Sequence, residues 1–208
     1  MRILAGDNRG RRFKSVPKSL PVKPISSRIK KSVFDILRPW LGGARVLDLY
    51  AGTGSVGLEA LSRGAQSCFF VDRDKRCLAV IDENLKELNL QSRGRTSFGD
   101  ILQDLSWIPY RAGVTDFDLI YLGPPYRDEE DRPLAYSTPS LARVIESNLP
   151  AAGALIVIQH HVKEEVAVPA GWERLRREKY GDTFVDFHRR AAPPRAATPE
   201  AAPENPPA

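Results

Sequence analysis

The chain has 208 residues, 42% hydrophobic and 27% charged, with a net charge of +5; this length supports one full-sized α/β domain with a small appendage and excludes a second large domain. No apolar run reaches the ~18 residues of a membrane span, and Met1-Arg2-Ile3-Leu4-Ala5-Gly6 lacks the build of a secretory leader, so a cytoplasmic location without a membrane is expected. Residues 1–40 hold eleven Lys and Arg against Asp7 and Asp35 alone, which leaves the remainder net acidic and marks either a polyanion-facing N-terminal segment or a solvated basic one.

Residues 1–24 read as a hairpin and connector: Arg2-Ile3-Leu4, a turn through Gly6-Asp7-Asn8-Arg9-Gly10, then Arg11-Arg12-Phe13 and a Pro-punctuated stretch. A helix opens at Ser26 or Ser27, carries Ile29, Val33, Ile36 and Leu37 at helical spacing, presents Arg28, Lys30 and Lys31 as a basic outer face, and stops near Pro39.

From Arg45 apolar strands alternate with amphipathic helices. The strands are expected at Arg45–Tyr50, Cys68–Val71, Thr96–Phe98, Phe117–Leu122 and Ala154–Gln159, and the main helices at Ser55–Ser62, Lys75–Leu88 and Tyr136–Leu149. Such alternation predicts βα units and a parallel sheet covered on both faces. Trp172–Tyr180 and Thr183–Arg190, joined by Gly181-Asp182, read as an antiparallel hairpin that closes it. The chain is therefore divided into a basic segment at 1–40, an α/β domain at 41–190 and a disordered Ala/Pro-rich tail at 191–208. Cys68 and Cys77 lack metal-ligand spacing and are expected to be reduced and structural, with no metal site.

The first strand runs into Asp48-Leu49-Tyr50-Ala51-Gly52-Thr53-Gly54-Ser55-Val56-Gly57, a formal G-x-G-x-x-G that by itself suits any adenosyl cofactor. Asp48 discriminates among them. A carboxylate beside the loop favours the cationic amine of S-adenosylmethionine over a doubly anionic pyrophosphate. Gly52 and Gly54 remove Cβ atoms from the cofactor's path, whereas Gly57 serves close helix–strand packing. Asp72, with Asp74 as its rival, is placed to take the ribose hydroxyls; Asp100 is placed to accept from the adenine amine, with Ile101 packed on the ring.

After the fourth strand comes Gly123-Pro124-Pro125-Tyr126. Two prolines hold the turn's carbonyls rigidly, and the aromatic after them can stack on a planar base. Carbonyl acceptors that orient an exocyclic amine toward a sulfonium methyl supply catalysis by positioning, with little acid–base chemistry.

With these residues in hand the chain resembles the bacterial RsmD-type family of 16S rRNA guanine-N2 methyltransferases over nearly all of 1–190. The likeness lies in Arg2–Gly6 with Arg9-Gly10-Arg11, in Lys23-Pro24-Ile25 through Arg28 to Leu37, in Asp48–Gly54 with Gly57–Ala65, and in Tyr180-Gly181-Asp182-Thr183. It implies a Rossmann-like class I methyltransferase sheet and transfer of a methyl group to a guanine N2 in the small ribosomal subunit or its assembly intermediate; the chain is expected to be a monomer. It also implies that Asp48, Gly52, Gly54, Asp72 and Asp100 hold the cofactor. Gly123, Pro124, Pro125 and Tyr126 would hold the flipped base, and Arg9, Arg11, Arg12, Lys14, Lys23 and Arg28 the RNA phosphates.

The sequence departs from the family at two places. Lys23 replaces an arginine, and Gly123 stands where the family has Asp and related amino-methyltransferases Asn or Ser, so the target amine meets backbone carbonyls unless Asp128 or Glu129 substitutes. Three other readings stay open: an adenine-N6 methyltransferase, a nicotinamide-dependent oxidoreductase, and a non-catalytic rRNA-binding assembly factor.

Overall fold

The computed structural model describes residues 1–16, 25–128, 130 and 132–191. Its sheet contains β1 (Arg45–Leu49), β2 (Ser67–Asp72), β3 (Gly94–Phe98), β4 (Phe117–Leu122), β5 (Pro150–His161), β6 (Trp172–Tyr180) and β7 (Thr183–Arg190) in the order β3-β2-β1-β4-β5-β7-β6. The first five strands are parallel, and β7 runs antiparallel to both of its neighbours. The helices are α1 (Ser27–Leu37), α2 (Ser55–Ser62), α3 (Lys75–Glu87), α4 (Ile108–Ala112) and α5 (Ser137–Glu146). Ser26 caps α1, its Oγ accepting from the Ile29 N–H at 3.2 Å, and Pro39 lies in a single 3₁₀ turn that ends it.

Strand order reverses at β1: β2 and β3 lie to one side, β4 and β5 to the other. Leu49 sits level with Val71 on β2 and Leu122 on β4, so the loops that follow these strands open at one height. A crevice at the carboxyl edge beside such a reversal is where open α/β sheets bind ligands.

One face of the sheet is covered by α1, α2 and α3, with Val46, Leu119, Tyr121 and Val157 in its core; the other packs Leu47, Leu49, Ile120 and Ile156 against Ile108, Leu141 and Val144 of α4 and α5. Ile3, Phe13, Val33, Phe34 and Leu37 belong to the first of these cores. The N-terminal residues are thus a layer of the domain, although their charge sets them apart in the sequence.

Lys30 corrects the expected outer face of α1. It is only 2% exposed, and its Nζ lies 3.3 Å from Glu59 Oε2 and 3.2 Å from Ser55 Oγ. The reason is periodic: three and four residues on are Val33 and Phe34, so Lys30 rides the apolar stripe. Glu59 also accepts from the N–H groups of Leu4 at 2.8 Å and Ala5 at 3.0 Å, and from Arg63 Nε at 2.8 Å. One buried carboxylate therefore joins the N-terminal turn to α1 and α2.

Some boundaries also move. β5 spans Pro150–His161 because Ile156–His161 pairs with β7 beyond its parallel contact with β4, and α5 ends at Glu146. Gly57 behaves as expected, since a Cβ there would meet Phe70 Cε1 at 2.2 Å. The tail assigned to 191–208 lies, beyond Ala191, outside the described residues, as does the connector at 17–24.

Candidate active site

The loop after β1 turns through three left-handed residues, Tyr50 at φ 60°, Gly52 at φ 53° and Gly54 at φ 72°. For tyrosine that conformation costs about 1–3 kcal/mol; its hydroxyl is held against Ser140 Oγ of α5 at 2.7 Å. Gly54 is the N-cap of α2, which follows directly. Its glycine is demanded by the backbone angle and by Ile81, whose Cγ1 would lie 2.9 Å from a Cβ.

Two carboxylates hold this loop. Asp72, at the end of β2, accepts from the Gly52 N–H at 2.8 Å through Oδ2 and from the Asp74 N–H at 2.9 Å through Oδ1; burial raises its pKa. Asp48 accepts from the Gly57 N–H at 2.9 Å, is 2% exposed, and is pushed up by burial to about 8. A carboxyl so placed gains most when a cation arrives beside it. Asp74 is occupied elsewhere: it caps α3 by accepting from the Arg76 N–H at 2.8 Å, and its pairing with Arg76 lowers its pKa. Asp72 is therefore the one of the two rivals bonded to the loop.

Asp100 follows β3 and accepts from the Leu102 N–H at 3.0 Å. Ile101 departs from expectation. It is 1% exposed and packs into the core on the α4 and α5 face, so it supports the turn from beneath and leaves no side-chain surface for a ring. The exposed apolar group at this rim is Phe98, level with Asp72 across the strands and with Lys75 Nζ 5.7 Å from its ring centroid.

The Pro-Pro-Tyr turn meets the glycine loop directly, because the Gly123 N–H donates to Leu49 O at 3.2 Å. A Cβ at position 123 would find Tyr121 Cε1 at 3.4 Å as its nearest neighbour, so the glycine is not required by space. Tyr126 is held by a relay: Gln159 Nε2 donates to its hydroxyl at 2.7 Å, while Gln159 Oε1 accepts from the Tyr121 hydroxyl at 2.8 Å. The Tyr126 ring meets His161 edge-on at 5.9 Å, its hydroxyl lies 3.5 Å from Thr183 Oγ1, and burial raises its pKa. Asp128 is used within its own loop, accepting from Arg132 Nε at 2.6 Å and from the Glu130 N–H at 3.0 Å; Glu129 lies outside the described residues. Among the described residues of the turn the acceptors left are backbone carbonyls.

Sequence reasoning missed Gln159, Tyr121 and Tyr50. Only Gln159 carried a signal, as a polar residue closing the apolar run Leu155–Ile158.

The basic candidates separate into two groups. Arg11 donates to Asn8 Oδ1 at 2.8 Å, to Leu88 O at 3.2 Å and to Glu87 O, and Lys14 pairs with Glu83 at 3.1 Å and Glu87 at 2.8 Å. These two fasten the N-terminal turn to the end of α3. Arg9, Arg12 and Arg28 are exposed, and Lys23 lies outside the described residues.

The donor set fits an adenosyl cofactor carrying a cationic amine: a buried carboxyl behind a loop of backbone amides, a strand-end carboxylate beside it, and glycines where the chain turns left-handed. Among the described residues no group of His, Cys, Asp and Glu could hold a metal, and no helix is long and apolar enough to cross a membrane.

Comparison with known proteins agrees with this architecture. The family model described as "Conserved hypothetical protein 95" matches residues 1–189. Among curated relatives, "Putative rRNA methyltransferase YlbH" of Bacillus subtilis is 32% identical over 191 residues, covering 91% of this chain and 99% of that one. "Ribosomal RNA small subunit methyltransferase D" of Escherichia coli K12 is 29% identical over 193 residues, covering 92% and 91%. The solved structure "Putative methyltransferase yhhF from Escherichia coli" superposes with a TM-score of 0.76 at 25% identity, covering 93% of this chain and 99% of that one. The chain belongs to the family described as Conserved hypothetical protein 95, which it matches over residues 1–189.

Proposed function

We propose that the chain is an S-adenosylmethionine-dependent methyltransferase that modifies the N2 amine of a guanine in 16S rRNA. It acts on the small ribosomal subunit or an assembly intermediate, as a cytoplasmic monomer. The observation that carries this reading is the junction at Leu49: its carbonyl accepts from Gly123 at 3.2 Å, and the glycine loop begins at the next residue. The cofactor cradle and the base clamp therefore lie at the adjoining ends of two paired strands, β1 and β4. The names of the relatives supply the substrate class.

The cofactor brings a methyl group already activated on a sulfonium, so the residues need only bind and orient. Asp48 faces the cationic amine, Asp72 takes the ribose hydroxyls and Asp100 the adenine amine. The Gly123 and Pro124 carbonyls accept from the target amine and aim its lone pair, while Tyr126 offers its ring to a base swung out of the RNA. Arg9, Arg12 and Arg28 contact phosphates. A nicotinamide dinucleotide is disfavoured because its pyrophosphate would face buried Asp48.

The test is transfer of isotope-labelled methyl from S-adenosylmethionine to unmodified small subunits, naked rRNA and DNA in parallel. Label is expected on the subunits. Label mainly on DNA, or on adenine, would overturn the substrate; binding of cofactor and subunits without transfer would make the chain an assembly factor.

A further inference from the structure

We propose that the outer edge of the sheet at β3 is a second RNA-contact site, in which Arg95 and Arg111 take phosphates and Tyr110 stacks on a base of a single-stranded segment. The proposal rests on the reading that the substrate is RNA. It concerns a surface away from the Leu49 junction, separated from it by the width of β2.

An open groove of about 540 Å³ lies here, lined by Phe69, Arg95, Thr96, Ser97, Tyr110 and Arg111. β3 pairs with β2 alone and forms the sheet's outer edge on this side. Tyr110, on the short helix α4, is 91% exposed. The packing of α4 does not need that ring: Ile108 is buried in the core, and neighbouring Trp107 packs edge-on against Phe69 at 6.4 Å. Its ring therefore stands open to a planar partner.

One of the two cations is pre-positioned. Arg111 lies with its guanidinium carbon 5.8 Å from the Trp107 ring and donates to Ser97 Oγ at 3.4 Å. Arg95 projects from the same face of β3, since residues two apart on a strand point the same way and Ser97 reaches Arg111. Among the described residues neither arginine forms an ion pair, in contrast to Arg45, Arg76, Arg132 and Arg177, each of which meets a carboxylate. An aromatic ring that lines one groove with two guanidinium groups lacking acidic partners matches a stacked base flanked by phosphates.

The location suits a substrate strand. From Arg95 the chain runs up β3 to Asp100, roughly 15 Å away at strand rise, so RNA in the groove passes beside the cofactor rim. Phe98 repeats the pairing of ring and cation on the other face of β3, with Lys75 above it.

The test uses the full chain, wild type against a Tyr110→Ala, Arg95→Ala, Arg111→Ala variant, all three sites being exposed. Two readouts are taken: fluorescence anisotropy with a short labelled single-stranded RNA at two salt concentrations, and methyl transfer to unmodified small subunits. Anisotropy should show affinity falling roughly tenfold or more, with the salt dependence reduced by about two phosphate contacts. In the transfer assay the KM for subunits should rise while kcat and cofactor affinity hold. RNA affinity within about twofold of wild type overturns the proposal; combined with a raised KM for subunits, it would assign the groove to a ribosomal protein instead. Absence of transfer by the wild type would count against the proposed function, and the anisotropy comparison would still decide the groove.

Discussion

The side-chain amide of Gln159 donates to the Tyr126 hydroxyl at 2.7 Å, so the hydroxyl of the clamp tyrosine is engaged by the protein and its ring is what remains for a substrate. Tyr126→Phe should accordingly keep methyl-transfer activity within about tenfold, since it loses only the hydroxyl's hydrogen bonds with Gln159 and Thr183. Tyr126→Ala should lower kcat/KM by about a hundredfold, because stacking and aim are lost together. Gln159→Leu should fall between them, and its effect should shrink in a Tyr126→Phe background. Equal activity of the phenylalanine and alanine variants would remove the ring from the account.

Position 123 has room for a side chain, its nearest obstacle being Tyr121 Cε1 at 3.4 Å from a Cβ. Gly123→Asn should therefore fold normally and add an acceptor at the target amine. A gain of one hydrogen bond of about 1 kcal/mol corresponds to a several-fold increase in kcat. Single-turnover transfer to unmodified subunits measures it, and a loss of rate with unchanged melting would show that the carbonyls alone set the geometry.

Asp48 is held at about 8 by burial, above its ordinary value of 3.8. A carboxyl raised in the fold contributes stability that is complete below the unfolded value and is lost as pH rises through the folded one. The ligand-free protein should thus lose stability between about pH 4 and 8 in a way that Asp48→Asn abolishes. Cofactor affinity should move oppositely over the upper part of that range, because an ammonium group beside Asp48 favours the ionised form. Calorimetric titrations at about pH 5.5 and 6.5, below the range in which an α-amino group loses its charge, compare the two proteins. A pH-independent affinity in both would separate Asp48 from the cofactor amine.

Glu59 is fully buried and holds Lys30, Arg63 and the N–H groups of Leu4 and Ala5. Glu59→Leu leaves Lys30 buried without its counter-charge and should cost about 3–5 kcal/mol of stability in a denaturant melt. Adding Lys30→Met should recover a large part of that loss, whereas full additivity would show that the two residues act independently.

Much of the architecture was legible because it depends on local pattern. The alternation of apolar runs with amphipathic stretches placed the strands, Gly57 announced close helix–strand packing, and Asp72 stood where a strand ends. What escaped was non-local. Lys30 reads as surface until Glu59, on another helix, neutralises it in the core. Arg11 and Lys14 read as phosphate contacts until the fold brings them to the end of α3, some seventy residues away. Tyr126 and Gln159 are separated by 33 residues and meet only through the pairing of β4 with β5. Ile101 carried the right apolar character for a ring platform, but its burial was set by the core beneath β3.

In the proposed function the adjoining ends of β1 and β4 bring the cofactor and a guanine amine together. The most direct measurement is nucleoside analysis of unmodified small subunits after incubation with the protein and S-adenosylmethionine. The account predicts N2-methylguanosine at a single position, absent with Asp48→Asn combined with Tyr126→Ala. Methyl label on any other base, or none at all on subunits that the protein demonstrably binds, would contradict it.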